Sequence, residues 1–95
     1  MARFTVRIQL SDADASDYEE LKELMEEVGF SKNITSIDGI SYKLPDAEYD
    51  YSGRETASEV LDAAYKIAEM VKAKPKVLIT KSAERRWKGL SKVNR

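Results

Sequence analysis

The chain contains neither cysteine nor histidine among its 95 residues. It therefore cannot form a disulfide, a thiolate nucleophile, or a metal site built from thiolate or imidazole ligands. Acid–base catalysis by histidine is excluded for the same reason. For an enzyme built from this chain we expect carboxylates that hold a hard cation, so Mg²⁺ is the cofactor to expect if there is a catalytic function.

Glycine is scarce, and long hydrophobic runs are missing. The four glycines stand far apart, at positions 29, 39, 53 and 89, so the sequence has no phosphate-binding loop and no dinucleotide-binding glycine motif. No window approaches the roughly 18 apolar residues of a membrane span. The first ten residues, interrupted by Arg3 and Arg7, do not resemble a secretory signal. We therefore expect a cytoplasmic protein without a membrane partner.

The charges divide unevenly along the chain. Residues 1–80 carry 10 Lys and Arg against 16 Asp and Glu, a net charge of −6, whereas residues 81–95 carry 6 against 1, a net charge of +5. This division predicts a domain at 1–82 followed by a basic tail at 83–95. Such a tail contacts nucleic acid, extends into solvent, or folds back onto the acidic helix of its own chain.

Hydrophobic periodicity switches between period two, typical of strands, and period 3.6, typical of helices. The predicted elements are a strand at Arg3–Leu10, a helix from a Ser16/Glu19 capping box, a hairpin of Phe30–Ile37 and Ile40–Leu44 around Asp38-Gly39, a helix from a Thr56/Glu59 capping box, and a strand at Val77–Thr80. This order predicts an α+β fold, the ferredoxin-like βαββαβ plait, with a four-stranded antiparallel sheet and two helices on one face.

Two details of this prediction concern the second half of the chain. Pro45 ends the third strand, and Asp46–Gly53 is predicted as a loop, with a short strand through Glu48–Tyr51 as the alternative. The final strand, Val77–Thr80, lacks clean alternation of apolar and polar residues. That pattern predicts burial on both sides.

Two neighbouring carboxylates are the candidate catalytic and metal-binding residues. Asp12 and Asp14 follow directly after the first predicted strand. Together they could hold Mg²⁺ and let it activate water against a phosphodiester. The alternative is that they begin the following helix, because acidic residues are favourable beside a helix N-terminus.

Seven side chains are candidates for contact with RNA, the cations through phosphates and the tyrosines through stacking on bases. They are Arg3, Arg7, Lys43, Tyr49, Tyr51, Arg85 and Arg86. The alternatives are structural. Charges on an open sheet face prevent association, tyrosine rings pack inside with only the hydroxyl wet, and Trp87 anchors the tail to the domain.

Nine short motifs follow one another along Met1–Leu90. They are Met1-Ala-Arg-Phe-Thr-Val6, Asp17-Tyr18, Gly29-Phe30-Ser31, Asp38-Gly39, Tyr42-Lys-Leu-Pro45, Ala47-Glu-Tyr-Asp-Tyr51, Val60-Leu61-Asp62, Val77-Leu78 and Trp87-Lys-Gly-Leu90. In this order they resemble the GhoS family, small bacterial endoribonuclease antitoxins of type V toxin–antitoxin systems. The resemblance implies a ferredoxin-like fold akin to the small CRISPR-associated nucleases, and binding or cleavage of a toxin messenger RNA. It transfers no catalytic residue.

Two functions are therefore expected from the sequence. The first is an RNA-binding protein that acts as an endoribonuclease antitoxin on a toxin messenger RNA. The second is a non-enzymatic module in which the sheet face or an edge strand pairs with another protein or with a second copy, giving a homodimer.

Overall fold

The computed structural model describes residues 1–93, and a three-stranded antiparallel sheet forms its centre. In chain order the elements are β1 (Ala2–Gln9), α1 (Ala15–Glu27), β2 (Asn33–Thr35), β3 (Ser41–Lys43), β4 (Glu48–Gly53), α2 (Ala57–Val71) and β5 (Lys76–Ser82). β1 lies between β4 and β5 and is antiparallel to both. β2 and β3 form a separate two-stranded sheet. The structure thus confirms a mixed α+β domain with two helices.

The core lies on one face of the three-stranded sheet, where both helices pack. Phe4, Val6 and Ile8 of β1 are fully buried there, because alternate side chains of a strand point to the same face. They form one cluster with residues of the two helices, namely Leu21, Met25, Val60, Ala64 and Ala68. Each large apolar side chain buried in this way contributes about 1.5–3 kcal/mol.

Capping boxes begin both helices. The predicted box of α2 is confirmed, since the Thr56 hydroxyl accepts from the Glu59 N–H and the Glu59 carboxylate accepts from the Thr56 N–H. The predicted start of α1 at Ser16 is wrong: Asp14 is the N-cap and forms the box with Asp17. Aspartate caps a helix as well as serine does, and its charge suits the N-terminal end of the helix dipole.

The predicted four-stranded sheet is also wrong. The hairpin strands pair with each other as expected, but the strand beside β1 is β4. This strand lies in the segment predicted as a loop and confirms the alternative of a strand through Glu48–Tyr51. Pro45 lacks an N–H to continue β3, and a turn closed by a 2.9 Å bond from the Glu48 N–H to the Pro45 carbonyl redirects the chain. The hairpin joins the larger sheet through Ser31 and Asp50, whose backbones exchange bonds of 2.8 and 2.7 Å.

β5 is an edge strand, which corrects the prediction that it is buried on both sides. Val77 and Ile79 pack against the core, whereas Leu78 is 62% exposed on the opposite face. Half-buried and exposed side chains therefore alternate along most of β5, but apolar side chains lie on both faces of the sheet. Among residues 1–93, neither helix is long and apolar enough to cross a membrane.

The face of the three-stranded sheet that points away from the helices is called the open face here. Register places the following side chains on it: Arg3, Thr5, Arg7 and Gln9 from β1; Glu48, Asp50 and Ser52 from β4; Lys76, Leu78, Thr80 and Ser82 from β5. Leu78 is the one apolar side chain in this set.

Residues 83–93, the described part of the predicted tail, cross this open face. The chain leaves β5 at Ser82, and Arg85 reaches Asp50 of β4. Further on, the tail runs beside β3, where the Lys43 N–H donates to the Ser91 carbonyl at 2.8 Å. The tail thus extends from one edge of the sheet to the hairpin. Residues 94 and 95 of the predicted tail lie outside the described part of the chain.

Candidate nucleic-acid interface

A cleft of about 520 Å³ opens between the tail, β1 and the turn of the hairpin. Its lining includes three of the predicted RNA-binding cations, Arg3, Arg85 and Arg86, together with Trp87. Thr35, Ser36 and Ser82 also line it. The fold therefore brings cations and an aromatic ring from opposite ends of the sequence into one concave surface.

Arg85 fixes the tail in this position. Its Nη1 lies 2.6 Å from Oδ1 of Asp50 and 3.5 Å from the Thr5 hydroxyl oxygen. The two charged side chains are only 15% and 20% exposed. A charge-assisted hydrogen bond that is shielded from water is stronger than a pair at the surface. Arg85 is therefore a structural anchor of the cleft.

Arg86 and Arg3 are available to solvent. The Nε of Arg86 lies 2.7 Å from Oε2 of Glu84, but the two side chains are 85% and 70% exposed. Such a surface pair contributes little, so an incoming anion can displace Glu84 at small cost. Arg3 is exposed at the start of β1. Both guanidinium groups can thus meet a ligand in the cleft.

Trp87 is held against the hairpin. Its ring meets Tyr42 edge-on, with 5.7 Å between ring centroids and 64° between planes. The tail beyond it pairs with β3 through bonds from Lys43 N–H to the Ser91 carbonyl and from Val93 N–H to the Ser41 carbonyl. Trp87 is half-buried, so the domain does not enclose it completely. The predicted anchoring of the tail by Trp87 agrees with this contact.

Arg7 and Lys43 lie in a different depression of about 540 Å³, which Lys22, Glu19 and Asp46 also line. Arg7 is 3.6 Å from Glu48 across the strand pair. The structure therefore does not bring the seven predicted RNA-binding residues together at one place.

The two predicted tyrosines point to the helix-covered face, away from the open face. Tyr49 is 2% exposed, and burial raises its pKa to about 12. Tyr51 stacks on Phe30 with 4.6 Å between centroids and donates to Glu55 at 2.8 Å, a hydrogen bond that raises the pKa of Tyr51. Both rings are packed into the domain, which is the structural alternative given above, and neither joins the arginines of the cleft.

Lys32 is a structural residue that sequence reasoning missed. Its Nζ donates to the carbonyls of Pro45, Asp46 and Glu48 at 2.9, 2.7 and 2.9 Å, and lies 4.6 Å from the centre of the Tyr49 ring. Burial lowers the pKa of this lysine. One signal was available, because Lys32 occupies the position between Phe30 and Ile34 on the buried face.

Asp12 and Asp14 have different surroundings. Asp12 is exposed, in a left-handed backbone conformation with φ of 52°. The Asp14 carboxylate accepts from the Ser16 hydroxyl at 2.7 Å and from the Asp17 N–H at 3.1 Å, and these bonds lower its pKa. Within residues 1–93 no three acidic side chains are grouped to hold a metal ion. The catalytic and Mg²⁺-binding roles of this pair stay predictions.

No family model matches this chain, and no curated protein matches its sequence. Its function must therefore be inferred from the side chains of the cleft.

Proposed function

We propose that this protein binds single-stranded RNA in the cleft between the tail and the open face. The observation that carries this proposal is the ion pair of Arg85 with Asp50, which holds the tail so that Arg3, Arg86 and Trp87 line one surface. Cations with an adjacent ring form the usual combination for binding a flexible nucleic-acid strand.

The distribution of charge also supports binding of RNA on the open face rather than on the helix-covered side. α1 carries six acidic residues and one lysine, namely Asp17, Glu19, Glu20, Glu23, Glu26, Glu27 and Lys22. Its field repels a polyanion from the helix-covered side. The basic tail lies on the open face instead, and its cations attract phosphates from a distance in low salt.

Within the cleft, the side chains have separate roles. Arg3 and Arg86 contact phosphate oxygens, and Trp87 stacks on an unpaired base. Stacking requires a base that is free of its partner strand, which favours single-stranded over double-stranded RNA. Arg85 acts indirectly, since its guanidinium is engaged with Asp50.

The resemblance to the GhoS family supports a narrower form of the proposal, in which the bound strand is a toxin messenger RNA. Cleavage is a separate step from binding. It would proceed through Asp12 and Asp14 with Mg²⁺, and it is tested by incubating RNA with the protein in Mg²⁺ or in chelator. Cleavage that needs Mg²⁺ and is lost in Asp12→Ala would support the antitoxin function, whereas binding without cleavage would limit the protein to binding.

Binding is tested by fluorescence anisotropy with a labelled single-stranded RNA at increasing salt. We expect Arg3→Ala and Arg86→Ala each to weaken binding and to reduce the salt slope by about 0.7, the value for one phosphate contact on a single strand. Arg54→Ala is the matched control, because Arg54 is exposed and lies outside the cleft.

Quenching of Trp87 fluorescence by RNA is a second readout, since this is the single tryptophan of the chain. The proposal fails if the protein does not retain RNA at low salt. It also fails if Arg54→Ala and Arg86→Ala weaken binding equally.

A further inference from the structure

The outer edge of β5 is a free strand edge within the described part of the chain. The Ile8 N–H donates to the Ala47 carbonyl, so the backbone groups of Ile8 point toward β4 and away from β5. Val77 is opposite Ile8 on β5, and it therefore directs its own N–H and C=O outward. The same alternation applies to Ile79 and Lys81. Three residues of β5 thus present backbone donors and acceptors to the outside.

We propose that two copies of this chain pair antiparallel through their β5 strands, around a two-fold axis at Ile79. This register overlaps Lys76–Ser82 of one copy completely with the same segment of the other. Ile79 faces Ile79, and Val77 faces Lys81. The residues whose backbone N–H and C=O groups point outward are then directly opposite one another across the two copies. This is the condition for hydrogen-bonded pairs in an antiparallel ladder.

Leu78 supports this register. It is 62% exposed and is the one apolar side chain among those that register places on the open face. In the dimer, Leu78 faces Thr80 of the second copy, and the two Leu78 side chains become diagonal neighbours. Side chains in diagonal positions lie within reach of each other across a strand pair. The dimer therefore covers an apolar group that the monomer leaves in water.

Charge complementarity supports a second copy as the occupant of this edge. A groove of about 570 Å³ lies beside Val77, and its charged residues are Asp62, Glu69 and Lys66 of α2. Lys81 of the second copy lies opposite Val77 in this register, on the same side of the sheet, so its ammonium group enters a groove with excess negative charge. The two-fold axis repeats the contact, and a register centred on Lys81 would instead oppose two like charges.

The geometry of the dimer also places the clefts of the two copies on the same side of the joined sheet. Antiparallel pairing of two edge strands joins the two three-stranded sheets into one continuous sheet. The two-fold axis is perpendicular to that sheet, so both open faces lie on the same side. The dimer does not depend on RNA binding, but it would give a nucleic-acid strand two basic tails on one surface.

The test is sedimentation equilibrium of the full chain from micromolar to millimolar concentration, with the fold of each variant checked by circular dichroism. We expect a reversible dimer that Leu78→Lys weakens roughly tenfold or more, because the substitution places two like charges near the axis. Ile37→Lys is the matched control, since Ile37 is a fully exposed apolar residue at the hairpin turn.

Charge reversal provides the second arm. Lys81→Glu and Glu69→Lys should each weaken the dimer, and the two substitutions together should restore it, because the opposite charges again face each other across the axis. A chain that remains monomeric at millimolar concentration overturns the proposal. A dimer that Leu78→Lys leaves intact, or that the double substitution does not restore, places the contact elsewhere and overturns it as well.

Discussion

Arg85 and Asp50 form an ion pair across the open face, with 2.6 Å between Nη1 and Oδ1. The two residues are 35 positions apart in the chain and belong to different parts of the fold, the tail and β4. Because both side chains are largely shielded from water, the pair links the position of the tail to the stability of the sheet. The first two predictions follow from this link.

We expect Arg85→Ala to lower the free energy of unfolding by about 1–3 kcal/mol, because it leaves the shielded Asp50 carboxylate without its partner. Arg86→Ala removes the neighbouring arginine, whose pair with Glu84 is exposed, and should leave stability almost unchanged. Urea unfolding followed by circular dichroism measures both. Equal losses in the two variants would contradict a structural role for Arg85.

Trp87 should report on docking of the tail. We expect Tyr42→Ala to remove a contact worth about 0.5–1.5 kcal/mol and to shift the tryptophan emission to the red, since the indole becomes more exposed to water. The helical signal in circular dichroism should not change. Tyr65→Ala, at a partly exposed position on α2, is the control. An unshifted spectrum in Tyr42→Ala would show that this ring does not hold the tail.

Lys32 should be essential for the turn that leads into β4. We expect Lys32→Met to cost about 2–4 kcal/mol, because three carbonyl groups lose their donor while the length of the side chain is kept. Lys43→Met is the matched control at an exposed lysine of β3. The comparison is made by thermal and urea unfolding. If both variants lose the same stability, the buried hydrogen bonds of Lys32 are not the cause.

Features set by neighbouring residues were predictable from the sequence. Alternation in β1, pairing of the hairpin and the cap of α2 depend on residues a few positions apart, and the structure confirms them. β4 was predicted only as the alternative to a loop, although Tyr49 and Tyr51 alternate with polar residues there. Pro45 and the polar residues after it favoured a loop, whereas the decisive factor is pairing with the distant strand β1.

The candidate site was less predictable because distant contacts build it. The cations of the tail were recognised from composition, but Arg85 gains its role only when Asp50 arrives from β4. Lys32 is buried because a turn 13–16 residues further along the chain supplies its acceptors. Arg85 and Arg86 have the same side chain, so only the tertiary structure shows that Arg85 is anchored and that Arg86 is exposed.

Tyr49 gives a prediction on pH. Burial, with Glu26 and Glu19 acting in the same direction, raises its pKa from 10.0 to about 12. The folded protein therefore holds this proton at a pH where the unfolded chain releases it. The resulting stabilisation is fully present below pH 10 and is lost as the pH rises toward 12. A pKa difference of this size corresponds to roughly 2–3 kcal/mol.

We expect Tyr49→Phe to remove most of this loss between pH 10 and 12, measured by urea unfolding at a series of pH values. Tyr65→Phe, on the exposed side of α2, should behave like the parent protein. The lowered pKa of Lys32 acts in the opposite direction, since its unfolded form binds the proton more tightly and stability rises as the pH approaches 10.5. Because Lys32 is present in the parent and in both variants, the difference between them isolates Tyr49. A parallel decline in all three proteins would assign the alkaline loss to other groups.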